Sequence, residues 1–149
     1  MIIRKSISED ALSVYEFICE LEDATFNYHA FCYIFEEYLV NPLTFCFTAS
    51  ENNQVIGFIS CKLQNLLHHC GQVGEIQEFF VRKEFRNKGI GRLLMNEVFT
   101  LTNELNLKCL EVTFNCKRTN NVSVYESMGF KLSHHKLTME PDVFLSNKQ

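Results

Sequence analysis

The spacing of apolar positions along this chain changes several times, and each change marks an element. Residues 2–5 (Ile-Ile-Arg-Lys) read as a short first strand. Ser8 stands as an N-cap, with Glu9 and Asp10 in a first turn where acidic side chains favour the helix dipole. Ala11, Leu12, Tyr15, Ile18 and Cys19 then step at helical spacing. A second helical stretch over 27–39 carries Tyr28, Phe31, Tyr33, Phe35 and Tyr38, and Pro42 closes it. Residues 45–49 and 55–63 are strands, and the polar turn 50–53 between them makes a hairpin. Residues 64–71 form a turn region, 73–81 a further strand, and 82–91 a basic loop containing glycine. Ile90, Leu93, Leu94, Val98, Leu101 and Leu105 then form a clear helical stripe. Leu110, Val112 and Phe114 alternate within a strand at 108–114. A helix over 120–128 stops at Gly129, and 130–138 reads as a last strand before a loose tail. This order predicts a single α/β (α+β) domain over 1–149, with helices covering a mostly antiparallel sheet.

Composition narrows the picture. With 46% hydrophobic and 21% charged residues in 149, the chain carries enough apolar surface to build a core. A net charge of −4 speaks against general nucleic-acid binding, which needs a basic surface. No apolar run approaches the roughly 18 residues of a membrane span, and the N-terminus lacks the apolar core of a signal peptide. The seven cysteines are odd in number and no pair has C-x-x-C spacing, which argues against a zinc site or disulfide framework. They fit a reducing compartment, where thiols pack as small hydrophobes, and the expectation is a cytoplasmic protein.

One segment breaks the acidic average. Residues 81–92 (Val-Arg-Lys-Glu-Phe-Arg-Asn-Lys-Gly-Ile-Gly-Arg) follow a strand and open a helix. Gly89 and Gly91 let the backbone approach a ligand, and the free N–H groups of the helix start make an anion site. Arg82, Lys83, Arg86, Lys88 and Arg92 add positive charge. The loop suits a pyrophosphate. It is not a Walker loop, which needs G-x-x-x-x-G-K-[ST]. Nor is it a dinucleotide fingerprint, because Leu94 stands where the third glycine belongs. The plain alternative is a solvated basic turn.

Arg86-Asn87-Lys88-Gly89-Ile90-Gly91 resembles the Q/R-x-x-G-x-G/A loop of the GNAT acetyltransferase superfamily, and Tyr125-Glu126-Ser127-Met128-Gly129-Phe130 resembles its Y-x-x-x-G-F. The element order agrees over essentially the whole chain. A narrower likeness to aminoalkylphosphonate N-acetyltransferases runs through Val14-Tyr15, His29-Ala30-Phe31, Leu67-His68-His69, Gly74-Glu75-Ile76-Gln77-Glu78 and Lys117-Arg118. Two positions depart from the superfamily: Arg118 stands where many members have Asn, and Asn121 where Ala is usual.

The resemblance implies a GNAT fold, with a mixed sheet of six to seven strands and about four helices. It implies acetyl-CoA as donor, with pantetheine along the backbone of Phe79, Phe80 and Val81. The pyrophosphate would lie in Arg86, Asn87, Lys88, Gly89, Ile90, Gly91 and Arg92. Attack by a primary amine is then direct, with no acyl-enzyme. Tyr125 is implied as general acid for the leaving thiolate, against the plain reading of a packed aromatic. The amine must shed a proton from a group whose ordinary pKa is near 10. Glu75 is the preferred base and Glu78 the second choice, against solvated strand charges. Strict alternation would turn Glu75, Gln77 and Phe79 to one face and Ile76, Glu78 and Phe80 to the other, so that only one carboxylate faces the acceptor. His68, His69, Lys117 and Arg118 are candidates for an anionic acceptor group. Adjacent histidines on an extended chain point apart, which weakens them as a joint metal pair, though the resemblance leaves a divalent metal open. Analogy with the superfamily also leaves a homodimer open. Alternatives are a diamine or polyamine acceptor facing Glu16, Glu20, Glu22 and Asp23, a protein acceptor, and a non-catalytic acyl-CoA-binding module.

Overall fold

Residues 1–115 and 120–139 are described by the structure, a computed structural model. The chain groups into two compact units, Met1–Val112 and Thr113–Gln149.

In the first unit, β1 (Ile2–Lys5), β2 (Thr44–Glu51), β3 (Gln54–Leu66), β4 (Gly71–Val81) and β5 (Cys109–Val112) form one sheet in that spatial order. The pairings from β1 to β4 are antiparallel and β4–β5 is parallel. The β2–β3 hairpin turns on Asn52 and Asn53, at φ of 50° and 61°. Asparagine tolerates that left-handed conformation better than most residues. The parallel pair needs a crossover, which α3 (Ile90–Glu104) supplies.

The sheet is covered on both faces. Val14 and Phe17 of α1 (Ala11–Glu22) and Phe35 of α2 (Tyr28–Val40) pack with Cys46, Phe58 and Phe80. Phe17 stacks on Phe80 with ring centroids 4.7 Å apart. On the opposite face α3 buries Leu94, Met95 and Val98 completely. Asn27 caps α2 by accepting from the Ala30 N–H at 2.9 Å. Ser8 does not cap α1. A 3-10 turn over Ser8–Asp10 intervenes, and the Ser8 hydroxyl donates to Glu36 instead. Asp10 organises this start: its buried carboxylate accepts from the Ile7 N–H, from both arms of the Arg4 fork at 2.7 Å, and from Thr48.

The β3–β4 ladder carries the irregularity that matters most. Ile59 pairs with Phe79 and Cys61 with Ile76, so two steps along β3 match three along β4. An extra residue in one strand reverses the alternation beyond it. Directly paired residues share a face, so Ile76 and Phe79 both lie on the α3 side. Glu75, Glu78 and Phe80 lie together on the other. The expectation that Glu75 and Glu78 face opposite ways is therefore corrected.

In the second unit, α4 (Asn120–Glu126) runs into a turn that ends at Gly129, φ +97°. The Gly129 N–H donates to Glu126 O at 3.0 Å and the Phe130 N–H to Tyr125 O at 3.1 Å. This is a Schellman cap, which needs a left-handed residue at Gly129 and an apolar contact from Phe130 back to Tyr125. The contact is present: the two rings meet edge-on at 5.7 Å. The strand expected over 130–138 does not form. Leu132 is 71% and Leu137 96% exposed, and an alternating apolar pattern without a ladder partner is not a strand. The described residues thus hold five strands rather than six to seven, with the four expected helices.

Candidate active site

The ladder between β4 and β5 stops at Ile76 and Val112, while β3 stays paired with β4 as far as Val81. Beyond Val81 the chain makes a 3-10 turn, Lys83–Phe85, and reaches α3 through Asn87 at φ 60° and Gly89 at φ +81°. Gly89 is the N-cap of α3 and brings no capping side chain. A Cβ there would have nothing within 4 Å, so the space before the helix is open. The helix ladder begins with the Leu93 N–H to Gly89 O, at 3.1 Å. The N–H groups of Ile90, Gly91 and Arg92 precede it and have no acceptor within the helix. Gly91 lies against the Phe79 ring, 3.1 Å from where its Cβ would stand. Open donors at the positive end of a helix of 15 residues suit an anion.

The cations of the loop divide into two groups. Arg82 donates to Val55 O, pairs with Glu16 at 3.3 Å and lies over the Phe17 ring. Arg86 donates to Val81 O at 2.8 Å, reaches Glu20 at 3.7 Å and lies over Phe80. Both thus tie the loop to β3, β4 and α1. Lys88 stands over Phe85, and Arg92 is exposed.

Phe80 stacks in the core while Phe79 and Val81 turn toward α3, so the side chains of all three are occupied with packing. On the α1 side of β4, Glu78 is bonded to the Ser60 hydroxyl, which also accepts from the Glu78 N–H at 3.2 Å. Burial pushes the Glu78 carboxyl above its ordinary value, and the Glu22 charge adds to this, while the Ser60 hydrogen bond works against it. Tyr38 lies nearby and is pushed up to about 12 by burial and by the charges of Glu78 and Cys46.

Glu75 stands half-buried on the same face, paired across the strands with Lys62 and Glu111. Neither of these neighbours was singled out from the sequence. Glu111 was legible there as the polar position between Leu110 and Val112. His68 and His69 occupy a 3-10 turn rather than extended chain, so they do not point apart: their rings lie 4.4 Å from each other. His69 reaches Glu111 at 3.6 Å. Lys117 and Arg118 lie outside the described residues. Tyr125, in the second unit, is buried and stacks on Phe114 at 5.4 Å. Burial pushes the Cys46 and Cys61 thiols up to about 12, which leaves neither as a thiolate nucleophile. Among the described residues no group of three or more His, Cys, Asp or Glu side chains is placed to hold a metal ion. No helix among them is long and apolar enough to cross a membrane.

The sequence profile of the Acetyltransferase (GNAT) family matches residues 9–130. The chain belongs to this family. This GNAT acetyltransferase is 34% identical over 136 residues to the aminoalkylphosphonate N-acetyltransferase of Salmonella typhimurium, covering 91% of this chain and 88% of that one. Its fold is shared with a transcriptional regulator of Bacillus halodurans C-125 at TM-score 0.85 and 18% identity, over 93% of this chain and 98% of the other. It is shared likewise with the ribosomal-protein-alanine N-acetyltransferase of Brucella melitensis biovar Abortus 2308. There the TM-score is 0.75 at 14% identity, over 94% and 99% of the two chains.

Proposed function

We propose that this acetyltransferase moves the acetyl group of acetyl-CoA directly onto the primary amine of a small molecule, with an aminoalkylphosphonate as preferred acceptor. The observation that carries the reading is the passage from β4 to α3. A strand released from β5 at Ile76 leads into an uncapped helix start with open space at Gly89. The residues fit the donor: backbone of Phe79–Val81 for pantetheine, and the N–H groups of Gly89–Arg92, with Lys88 and Arg92, for pyrophosphate. Acetyl-CoA bound there supplies an activated thioester.

The rest falls to this chain's own groups. Glu75, directly or through a water, takes the proton that the ammonium must lose. Glu78 shares its face, and its raised pKa makes it a stronger base than an ordinary carboxylate. Tyr125 protonates the leaving thiolate. The high thiol pKa values of Cys46 and Cys61 favour direct attack over an acyl-enzyme. The acceptor class rests on the Salmonella typhimurium relative. His68 and His69, with Lys117 and Arg118, are the candidates for its anionic group. The free thiols of the described cysteines support a cytoplasmic setting.

The test follows thiol release from acetyl-CoA with 1-aminoethylphosphonate, 2-aminoethylphosphonate, spermidine and a lysine peptide, with and without divalent metal. Turnover confined to the phosphonates is the expected result. Turnover with spermidine or the peptide alone would keep the chemistry and discard the acceptor. Acetyl-CoA binding with no turnover on any amine would turn the reading toward a non-catalytic module.

A further inference from the structure

Ser60 is fully buried at the irregularity of the β3–β4 ladder, and its hydroxyl makes two bonds there. It accepts from the Glu78 N–H at 3.2 Å, and it donates to Oε2 of the Glu78 carboxylate. The first bond satisfies a backbone donor where the ladder is out of step. The second holds the carboxylate by one oxygen and leaves Oε1 outside that bond. Glu78 lies two residues beyond Ile76, on the stretch of β4 that runs past the end of the β4–β5 ladder toward Phe79–Val81. Glu75 lies inside the paired part, opposite Glu111.

The groups about the Glu78 carboxyl come from four elements: Glu22 of α1, Tyr38 of α2, Cys46 of β2 and Ser60 of β3. Tyr38 and Cys46 are pushed up to about 12 by burial and stay neutral near pH 7. Burial and the Glu22 charge both oppose ionisation of Glu78, and the Ser60 hydroxyl favours it. We infer that Ser60 is a positioning residue for removal of the amine proton, acting through Glu78. The step is a single proton transfer. An O–H bond forms on Glu78 as an N–H bond of the ammonium breaks, and the nitrogen keeps the electron pair with which it attacks. Ser60 fixes the carboxylate in place and keeps it ionised at a lower pH than burial alone would allow. This deepens the function proposed above and rests on it for the reaction.

The pH dependence of kcat tests the assignment. The acceptor is 2-aminoethylphosphonate, or the amine of the panel above that turns over in its place. With both substrates saturating, the acid limb reports the base within the bound complex. Glu78→Gln should abolish the limb and lower kcat about a hundredfold or more, as loss of a general base does. Ser60→Ala should move the limb to higher pH and leave KM for acetyl-CoA unmoved. Ser60→Thr restores a hydroxyl and should bring the limb back toward wild type. A purely structural loss would scale kcat at every pH and leave the limb where it was. Should Ser60→Ala not fold, Ser60→Cys keeps the bulk with a weaker donor and should move the limb the same way. A limb unmoved in the folded Ser60 variants, or retained in Glu78→Gln, would overturn the inference while acetyl transfer itself stands. A wild type that transfers to none of the amines would defeat the function proposed above, and the inference with it.

Discussion

The α1-facing side of the sheet has two halves of opposite character. Under α1 and α2, Phe58 and Phe80 close against Phe17 and Phe35 in an apolar stack. A few residues along the same strands stand Lys62, Glu75 and Glu111, in a charged row. Between them sits the extra residue of β4 around Gln77 and Glu78, opposite Ser60. The contrast teaches that one inserted residue lets a single strand serve a dry core at one end and a polar surface at the other. Were the same β4 sequence paired in strict alternation, the carboxylate at Glu75 would point into the α3 core.

The most severe way to break this contrast is to insert one alanine between Ser60 and Cys61, so that β3 matches β4 step for step. Restoring strict alternation would send Glu75 to the α3 face and Ile76 to the charged one. We expect no folded protein, read as loss of soluble expression and of a cooperative unfolding transition. A native-like variant would mean that the irregularity is incidental. Phe80→Ala acts on the apolar half alone. It should cost about 3–5 kcal/mol in denaturant unfolding, as large-to-small core changes do. It should also loosen Arg86, whose guanidinium rests on that ring.

How much of this was legible in the sequence follows from the range over which each cause acts. The hairpin at Asn52–Asn53, the stripe of α3 and the cap at Gly129 are local, and their signals lie within a few residues. The reversal at Gln77–Glu78 is set by pairing with Ser60, 18 residues away, so period-two reasoning along β4 alone assigned the wrong face to one carboxylate. Arg82 and Glu16 are 66 residues apart. The loop's positive charge was therefore legible, but its partial commitment to α1 was not. The strand expected at 130–138 failed for a related reason, since a period shows which side is apolar but supplies no neighbour.

Smaller effects sharpen the comparison. Gly89→Ala places a side chain where φ is +81°, a conformation that costs an L-residue about 1–2 kcal/mol. It should raise KM for acetyl-CoA several-fold with little effect on KM for the amine. Binding equal to wild type would move the anion site away from α3.

Asp10 and Glu78 should divide the pH dependence of stability. Burial raises the Asp10 pKa, but the bonds from Arg4, Ile7 and Thr48 outweigh it and hold the carboxyl below 3.8. Its contribution is present above 3.8 and lost as pH falls through the lower folded value. Glu78 runs the other way. Its folded pKa lies above 4.5, so between the two values the folded state holds more protons and stability falls as pH rises. Glu78→Gln should therefore flatten the decline above pH 4.5 and leave the acid limb intact. Asp10→Asn should remove the acid limb. Denaturant midpoints across pH check both, and identical profiles for the two variants would refute the division.

The cap of α4 has a consequence for how mutations distribute. Tyr125 contributes its carbonyl to the turn and its ring to the contact with Phe130, and the phenol oxygen takes no part in either. Replacing the oxygen alone should thus leave the turn and the ring contact in place. A side chain at Gly129, by contrast, would strain the φ of +97° on which the turn depends. In a deep mutational scan read by activity, Gly129 should score as an intolerant position with no reactive atom of its own. A scan read by abundance should keep Gly129 on its map, because the position is carried by the turn itself.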